Sequence, residues 1–132
     1  MSLEGTRAAM TRYFSSDHSD LSMMADDVVF TTVATGEEHR GREGVARLLR
    51  HVYHEAFDAT AEIRNTIFAD GQALMEADIV GRHIGEFAGV PATNRQVRVP
   101  VCVVYDLERD MIKRARVYLE IPVLMKQLGV TG

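Results

Sequence analysis

A single imidazole, His83, is the side chain whose type and position first point to chemistry. It lies in the stretch GRHIGEFAGVPATNRQVRVP, residues 81–100, which has the pattern of a strand end, a Gly/Pro loop and a second strand. The apolar alternation of Met75, Ala77 and Ile79 continues to His83, which places the imidazole on the same interior face. Two alternatives stay open: a neutral imidazole that donates to an enolate or relays a proton, and a buried histidine bonded to a carbonyl of the following turn.

Three further polar side chains fall within apolar patterns. Asn65 lies between Ile63 and Ile67 on one face of its strand, where an amide is either a hydrogen-bonding group of a pocket or a satisfied core residue. Tyr13, on the first predicted helix, either lowers its hydroxyl into an interior cavity or is an ordinary core tyrosine of an amphipathic helix. The same two alternatives apply to Tyr53, near the apolar stripe of the next long helix.

Other residues give no specific chemical signal. His51 and His54 are one helical turn apart, but no cysteine or acidic cluster completes a metal site, so a solvated helix face is the better interpretation. Cys102 lies mid-strand among apolar residues, which is typical of an inert core thiol. The sequence contains no Walker motif, dinucleotide fingerprint or Ser/His/Asp nucleophile elbow. We therefore expect neither a metal ion nor an organic cofactor.

The composition excludes several classes of protein. The 132 residues are 46% hydrophobic and 26% charged, which is typical of one globular domain spanning residues 1–132. The net charge of −4 argues against binding to nucleic acid or to an anionic membrane, since both need a clustered basic surface. No apolar run is long enough for a membrane span and no signal-peptide core follows the N-terminus, so a cytoplasmic location is expected.

The elements that must position these side chains follow from the spacing of apolar residues. Helical spacing dominates before Phe57 and alternation dominates after it, with Asp70-Gly71 as a hairpin signal. This order predicts an α+β fold, with the helices packed on one face of a curved antiparallel sheet and a pocket inside the resulting cone. The predicted elements are a helix over 6–16, a helical turn at 21–24, a strand over 26–34, a hairpin turn at 35–41, a helix over 42–56, two strands within 60–87, strands over 96–107 and 111–121, and a closing helix from Pro122 to Gly129.

The most specific motif is Gly81-Arg82-His83-Ile84-Gly85-Glu86-Phe87 followed by Gly89-Val90-Pro91. It resembles the loop G-x-H-x-G-x-(F/L)-x-G-(I/V)-P of the SnoaL-like polyketide cyclases, a family of the NTF2-like, ketosteroid-isomerase-like superfamily. HRGREGV at 39–45 is similar to the family's approach to its third helix, and QLGV at 127–130 is similar to its ending. The resemblance covers essentially the whole chain. It implies a cone-shaped NTF2-like (cystatin-like) α+β barrel, a homodimer and a deep apolar cavity.

The resemblance also implies a reaction. In the family's cyclases an intramolecular aldol condensation proceeds without metal or organic cofactor, and an aspartate at the end of the last strand is the acid/base. Glu120 holds that position here, so the resemblance makes Glu120 the catalytic acid/base, with His83 as a second catalytic group that stabilises charge. The implied partner is an apolar or polyketide-like small molecule. The chain has Arg114-Ala115-Arg116 where the family commonly has Glu-His-Trp, which leaves the substrate open.

Two arguments disagree about which face of the last strand meets the cavity. Alternation alone makes the face with Val117 and Leu119 the core face. The resemblance turns the opposite face, with Arg116, Tyr118 and Glu120, toward the cavity, and we follow it in the prediction. The expected substrate-binding residues are then Tyr13, Tyr53, Asn65, Arg116 and Tyr118.

Three functions compete on this evidence. The first is a cyclase or isomerase that works by cofactor-free enolate chemistry in an apolar pocket. The alternative is a non-catalytic ligand-binding or accessory dimer module, in which the cone holds an apolar metabolite or only supports a dimer. The third is epoxide hydrolysis, which needs an Asp-Arg-Asp set that the sequence alone does not place.

Overall fold

Three helices and a six-stranded sheet make up the part of the chain that the structure, a computed structural model, describes: residues 2–16 and 18–130. The α+β class expected from the sequence is confirmed. None of the helices in this part is long and apolar enough to cross a membrane. The elements are α1 (Leu3–Ser15), β1 (Met24–Thr32), β2 (Glu37–Arg40), α2 (Gly41–Arg50), a π-helical turn (His51–Glu55), β3 (Phe57–Ala69), β4 (Gln72–His83), β5 (Gln96–Glu108), β6 (Met111–Leu119) and α3 (Ile121–Gln127).

The curved sheet is mixed and unclosed. Its strand order is β2-β1-β6-β5-β4-β3, and the two outer strands, β2 and β3, do not pair with each other. The prediction of an antiparallel sheet is wrong for one pair, because β1 runs parallel to β6 with Phe30 beside Ala115 and Thr32 beside Val117. A parallel neighbour requires a long crossover connection, and here that connection contains β2, α2 and the strands β3 to β5.

The N-terminal half differs from the sequence prediction in three short segments. Strand Glu37–Arg40 occupies part of the predicted hairpin turn and pairs with β1. Residues 21–24 form a hydrogen-bonded turn and no helix. The predicted helix 42–56 changes at its end into the π-helical turn His51–Glu55, where the Ala56 N–H donates to the His51 carbonyl at 2.7 Å. Such turns often mark functional sites, and this one faces the cavity described below.

Alternation along the central strands separates a buried inner face from an outer face. Cross-strand partners share a face, so Met75 of β4, Val103 of β5 and Val117 of β6 lie in one row. The register between β5 and β6 skips Lys113, which is therefore a bulged residue. The inner face forms one apolar cluster with side chains of α1 and α2. Its buried members include Met10, Tyr13, Val45, Ala73, Met75, Ala77, Ile79, Val97, Val99, Val101, Val103, Tyr105 and Ala115.

Candidate functional site

The inner face of the sheet lines an open cavity of about 590 Å³, a size usual for small-molecule sites. Its walls come from α1, α2, α3, the π-helical turn, five strands of the sheet and the segment between β4 and β5. Most of the lining is apolar: Phe30, Leu48, Leu49, Val52, Met75, Ile79, Phe87, Val101, Val103, Val117, Leu119 and Ile121. Polar groups inside the cavity are few, and they come mainly from Tyr13, His18, Tyr53 and Tyr105.

Tyr13 of α1 is fully buried in this wall. Its ring packs edge-on against Tyr105, with centroids 6.1 Å apart, and against His18, with centroids 5.0 Å apart. Its hydroxyl makes no hydrogen bond with any described residue. Burial, and to a smaller extent Tyr105 and Tyr53, raises the pKa of Tyr13 well above its ordinary value. The hydroxyl therefore keeps its proton and stays a buried donor in the cavity wall.

His18 lies in the polar segment that follows α1, and its ring contacts the rings of both Tyr13 and Tyr53. The imidazole is buried and stacks on the Tyr53 ring, with centroids 5.4 Å apart and the planes inclined by 22°. The backbone of His18 is left-handed, with φ at 62°, and the side chain lines the cavity. Tyr13 and Tyr53 thus line the cavity, their role as substrate-binding residues stays a prediction, and His18 brings an ionisable ring between them.

His83 is fully buried but does not line the cavity. Its Nδ1 accepts the Thr93 N–H at 3.2 Å and lies 3.0 Å from the Thr93 hydroxyl oxygen. Its backbone N–H donates to the Arg95 carbonyl and its carbonyl accepts the Asn94 N–H. The ring also packs on Phe57, with centroids 5.1 Å apart. These contacts fix the loop between β4 and β5, as in the second sequence alternative, with the amide and hydroxyl of Thr93 in place of the expected carbonyl.

Replacing His83 with Ala is expected to lower the free energy of unfolding by about 2–4 kcal/mol, because it opens a hole in the core and leaves the Thr93 N–H without its acceptor. Thr93→Val keeps that N–H and is expected to cost only about 1 kcal/mol. Both changes in unfolding free energy are to be measured by chemical denaturation, followed by circular dichroism. An unchanged unfolding free energy in His83→Ala would contradict the loop-fixing role.

The last strand presents to the cavity the face opposite to the one expected from the resemblance. Val117 and Leu119 line the cavity, whereas Arg116, Tyr118 and Glu120 do not. The side chain of Glu120 is exposed at the start of α3. The expectation that this face meets the cavity is therefore wrong. The reason is pairing: Val117 and Leu119 lie opposite inward-facing residues of β5, and cross-strand partners share a face.

The outer face of the sheet holds three residues that were expected at the site. Arg116 donates a hydrogen bond to Asp106 at 2.6 Å, which raises the pKa of Arg116. Tyr118 is 46% exposed. The Asn65 amide donates to Glu76 at 3.0 Å. The homodimer implied by the resemblance, which could cover this face, stays a prediction.

The mouth of the cavity is polar and charged. We define it by the exposed lining residues Thr35, Glu37, Glu38, Arg40, Arg47, His51 and Ala88. Behind it, the half-buried His39 has its Nε2 3.0 Å from a Glu37 carboxylate oxygen. Arg40 donates to Glu38 at 2.6 Å. The mouth thus differs sharply from the apolar interior.

Histidines at the mouth do not amount to a metal site. Within residues 2–16 and 18–130, no three His, Cys, Asp or Glu side chains are grouped so that they could hold a metal ion. His51, predicted on a solvated helix face, lies at the mouth with its ring stacked on Phe87, centroids 6.4 Å apart. His54 does not line the cavity.

Sequence reasoning missed two residues of the cavity wall. Tyr105 continues the alternation of Val101 and Val103 along β5, so the strand period could have found it. His18 lies in a polar stretch without any apolar period, and no sequence signal marks it. Its place depends on a left-handed backbone that non-glycine residues adopt only occasionally.

Comparison with known proteins adds a family and a set of related folds. The family model described as SnoaL-like polyketide cyclase matches residues 6–128. No curated protein matches the sequence.

Among solved structures, TsrD from Streptomyces laurentii is 18% identical, with a TM-score of 0.82 and 99% of each chain covered. A structure from Jannaschia sp. CCS1, assigned as a SnoaL-like polyketide cyclase, is 16% identical, with a TM-score of 0.80 over 98% of this chain and 94% of that one. IdmH from Streptomyces antibioticus, assigned as a polyketide cyclase, is 23% identical, with a TM-score of 0.72 over 98% of this chain and all of that one (100%). At these identities the structural likeness shows the fold alone.

Proposed function

Because the chain belongs to the SnoaL-like polyketide cyclase family, we propose that it is a small-molecule enzyme that performs acid/base chemistry next to a carbonyl group, inside the apolar cavity. The reaction is of the cyclase or isomerase type: a proton α to the carbonyl is removed, an enolate forms, and the enolate carbon takes up a proton or a new carbon bond. No cofactor is needed for such a step. What it needs is a base, a donor for the enolate oxygen and exclusion of water.

The Tyr13 hydroxyl is the observation that carries this proposal. A buried hydroxyl without a hydrogen-bond partner destabilises a fold by about 1–3 kcal/mol, and a carbonyl oxygen of a ligand would remove that cost. The raised pKa of Tyr13 keeps the group a neutral donor. In a cavity of low dielectric, a hydrogen bond to a developing enolate oxygen is stronger than it is in water. Tyr13 is therefore the oxyanion donor of the proposed reaction.

His18 is the proton acceptor in this proposal. Its ring packs edge-on against Tyr13, so the two side chains line the same part of the cavity. Stacking on Tyr53 fixes the orientation of the ring. Histidine is also the side chain whose ordinary proton affinity suits exchange near neutral pH. We place His18 in the role for which the resemblance offered Glu120, because Glu120 has no contact with the cavity.

Epoxide hydrolysis gains no support from the cavity. The reaction was expected to use an Asp-Arg-Asp set, and the described lining contains no aspartate. Its carboxylates are Glu37 and Glu38, both at the mouth, where Glu37 lies 3.0 Å from His39 and Glu38 is paired with Arg40. The choice therefore lies between an enolate-forming enzyme and a binding module.

An uncharged methyl ketone, 2-acetylnaphthalene, separates these two functions. We expect it to bind, and we expect the protein to exchange its methyl protons for deuterium in D₂O, followed as loss of the methyl signal in proton NMR. In each cycle His18 takes a proton from the methyl carbon, the enolate oxygen accepts a hydrogen bond from Tyr13, and a deuteron returns to the carbon.

Three outcomes of this experiment separate the enzyme from the binding module. Exchange faster than in a heat-unfolded sample and in buffer supports the enzyme. Binding without accelerated exchange supports the alternative, a non-catalytic module whose cavity holds an apolar metabolite. A ketone that neither binds nor exchanges contradicts both.

A further inference from the structure

The charged side chains at the mouth of the cavity differ in the contacts they make. Glu37 lies 3.0 Å from His39, and Glu38 is paired with Arg40. His51 lies 3.5 Å from Glu55. Arg47 lines the same mouth, yet it makes neither an ion pair nor a hydrogen bond with any residue in the described part of the chain.

The Arg47 guanidinium lies beside Gly44 on α2. It folds back over Gly44, one helical turn earlier, where a nitrogen lies 4.0 Å from the position a Cβ would take. The backbone of His39 lies against the same spot, 3.6 Å from that position. Gly44 is buried, and its missing side chain leaves room for the guanidinium to lie along the lip of the cavity. A cation at this place meets a ligand group that projects from the apolar interior.

We propose that Arg47 binds the carboxylate of an otherwise apolar substrate, so that the substrate is a keto acid. This rests on the proposed function: Tyr13 takes the carbonyl in the interior, and Arg47 takes the acid at the mouth. A planar guanidinium matches the two oxygens of a carboxylate. The single unpaired charge of Arg47 balances a monoanion, whereas a phosphate dianion would need a second free cation. The nearby Arg40 does not supply one, because it is already paired with Glu38.

Competition with a neutral reporter tests this inference without knowledge of the natural substrate. N-phenyl-1-naphthylamine, which fluoresces in apolar sites, is bound to the protein and displaced by decanoate, by decanol or by decyl phosphate. The readout is the concentration of decanoate that displaces half of the reporter, divided by the corresponding concentration of decanol. The contribution of the shared alkyl chain to binding cancels in this ratio. We expect Arg47→Gln to raise this ratio about fivefold, the size of effect typical of a partly exposed charge pair. Arg47→Lys is expected to restore part of the preference. The effect should shrink in high salt.

Arg82→Gln is the matched control, because Arg82 is exposed, makes no ion pair with the described residues and does not line the cavity. The proposal is overturned if Arg47→Gln leaves the ratio unchanged, if Arg82→Gln changes it equally, or if decyl phosphate shows the larger Arg47-dependent preference. Ketone exchange decides the proposed function separately: an Arg47-dependent preference for decanoate without exchange would retain the acid-binding site and remove the reaction.

Discussion

Tyr13→Phe is expected to slow ketone proton exchange about a hundredfold, the usual effect of removing one oxyanion donor. The same change is expected to leave the melting temperature unchanged or to raise it, since it removes a buried hydroxyl that has no hydrogen-bond partner among the described residues. The ring and its packing on His18 and Tyr105 are retained. Loss of activity without loss of stability is the signature of a group kept for function.

Tyr118→Phe is the matched control, because Tyr118 is 46% exposed and lies on the outer face of the sheet. It is expected to leave both exchange and melting temperature unchanged. Exchange is measured by NMR and stability by thermal denaturation on the same samples. If Tyr118→Phe slows exchange as much as Tyr13→Phe does, both the donor and the face assignment of β6 are wrong.

His18→Asn is expected to lower the exchange rate by about a hundredfold or more, as for loss of a general base. Asparagine is the informative replacement because it accepts a left-handed backbone, which His18 adopts with φ at 62°. Ketone binding should fall much less than the rate does.

His54→Asn provides the comparison for His18. His54 lies on the π-helical turn beside Tyr53, is exposed and does not line the cavity. Its replacement should keep the rate. Exchange that persists at the parent rate in His18→Asn would exclude His18 as the proton acceptor and direct attention to the other histidines of the cavity lining, His39 and His51.

Local patterns predicted most of the fold. The Asp70-Gly71 hairpin lies between β3 and β4 as expected, because a two-residue turn and two alternating strands are specified within one short segment. The α2 stripe and the inner row of β5 follow from period in the same way. The parallel neighbour of β1 is not a local property, since it depends on a strand near the other end of the chain.

The site was harder to predict because one bulged residue changes the face of the sheet on which the following side chains of its strand lie. In β3 the register shifts between Ile63 and Asn65, so Ile63 pairs with inward-facing Ala77 while Asn65 pairs with outward-facing Glu76. A bulge of one residue reverses all later side chains of a strand, and sequence alternation carries no sign of it. The predicted apolar row with Asn65 at its centre therefore does not exist.

The parallel pairing of β1 with β6 also determines when the domain can form during synthesis. On the ribosome β1 is made early, but one of its two edges has no neighbour until β6 emerges. A topology of such high contact order folds slowly, and the waiting strand edge is open to association with other nascent chains. Phe30 of β1 and Val117 of β6 both line the cavity. A chain interrupted before β6 accordingly lacks part of the cavity wall, however much of the helical layer it contains.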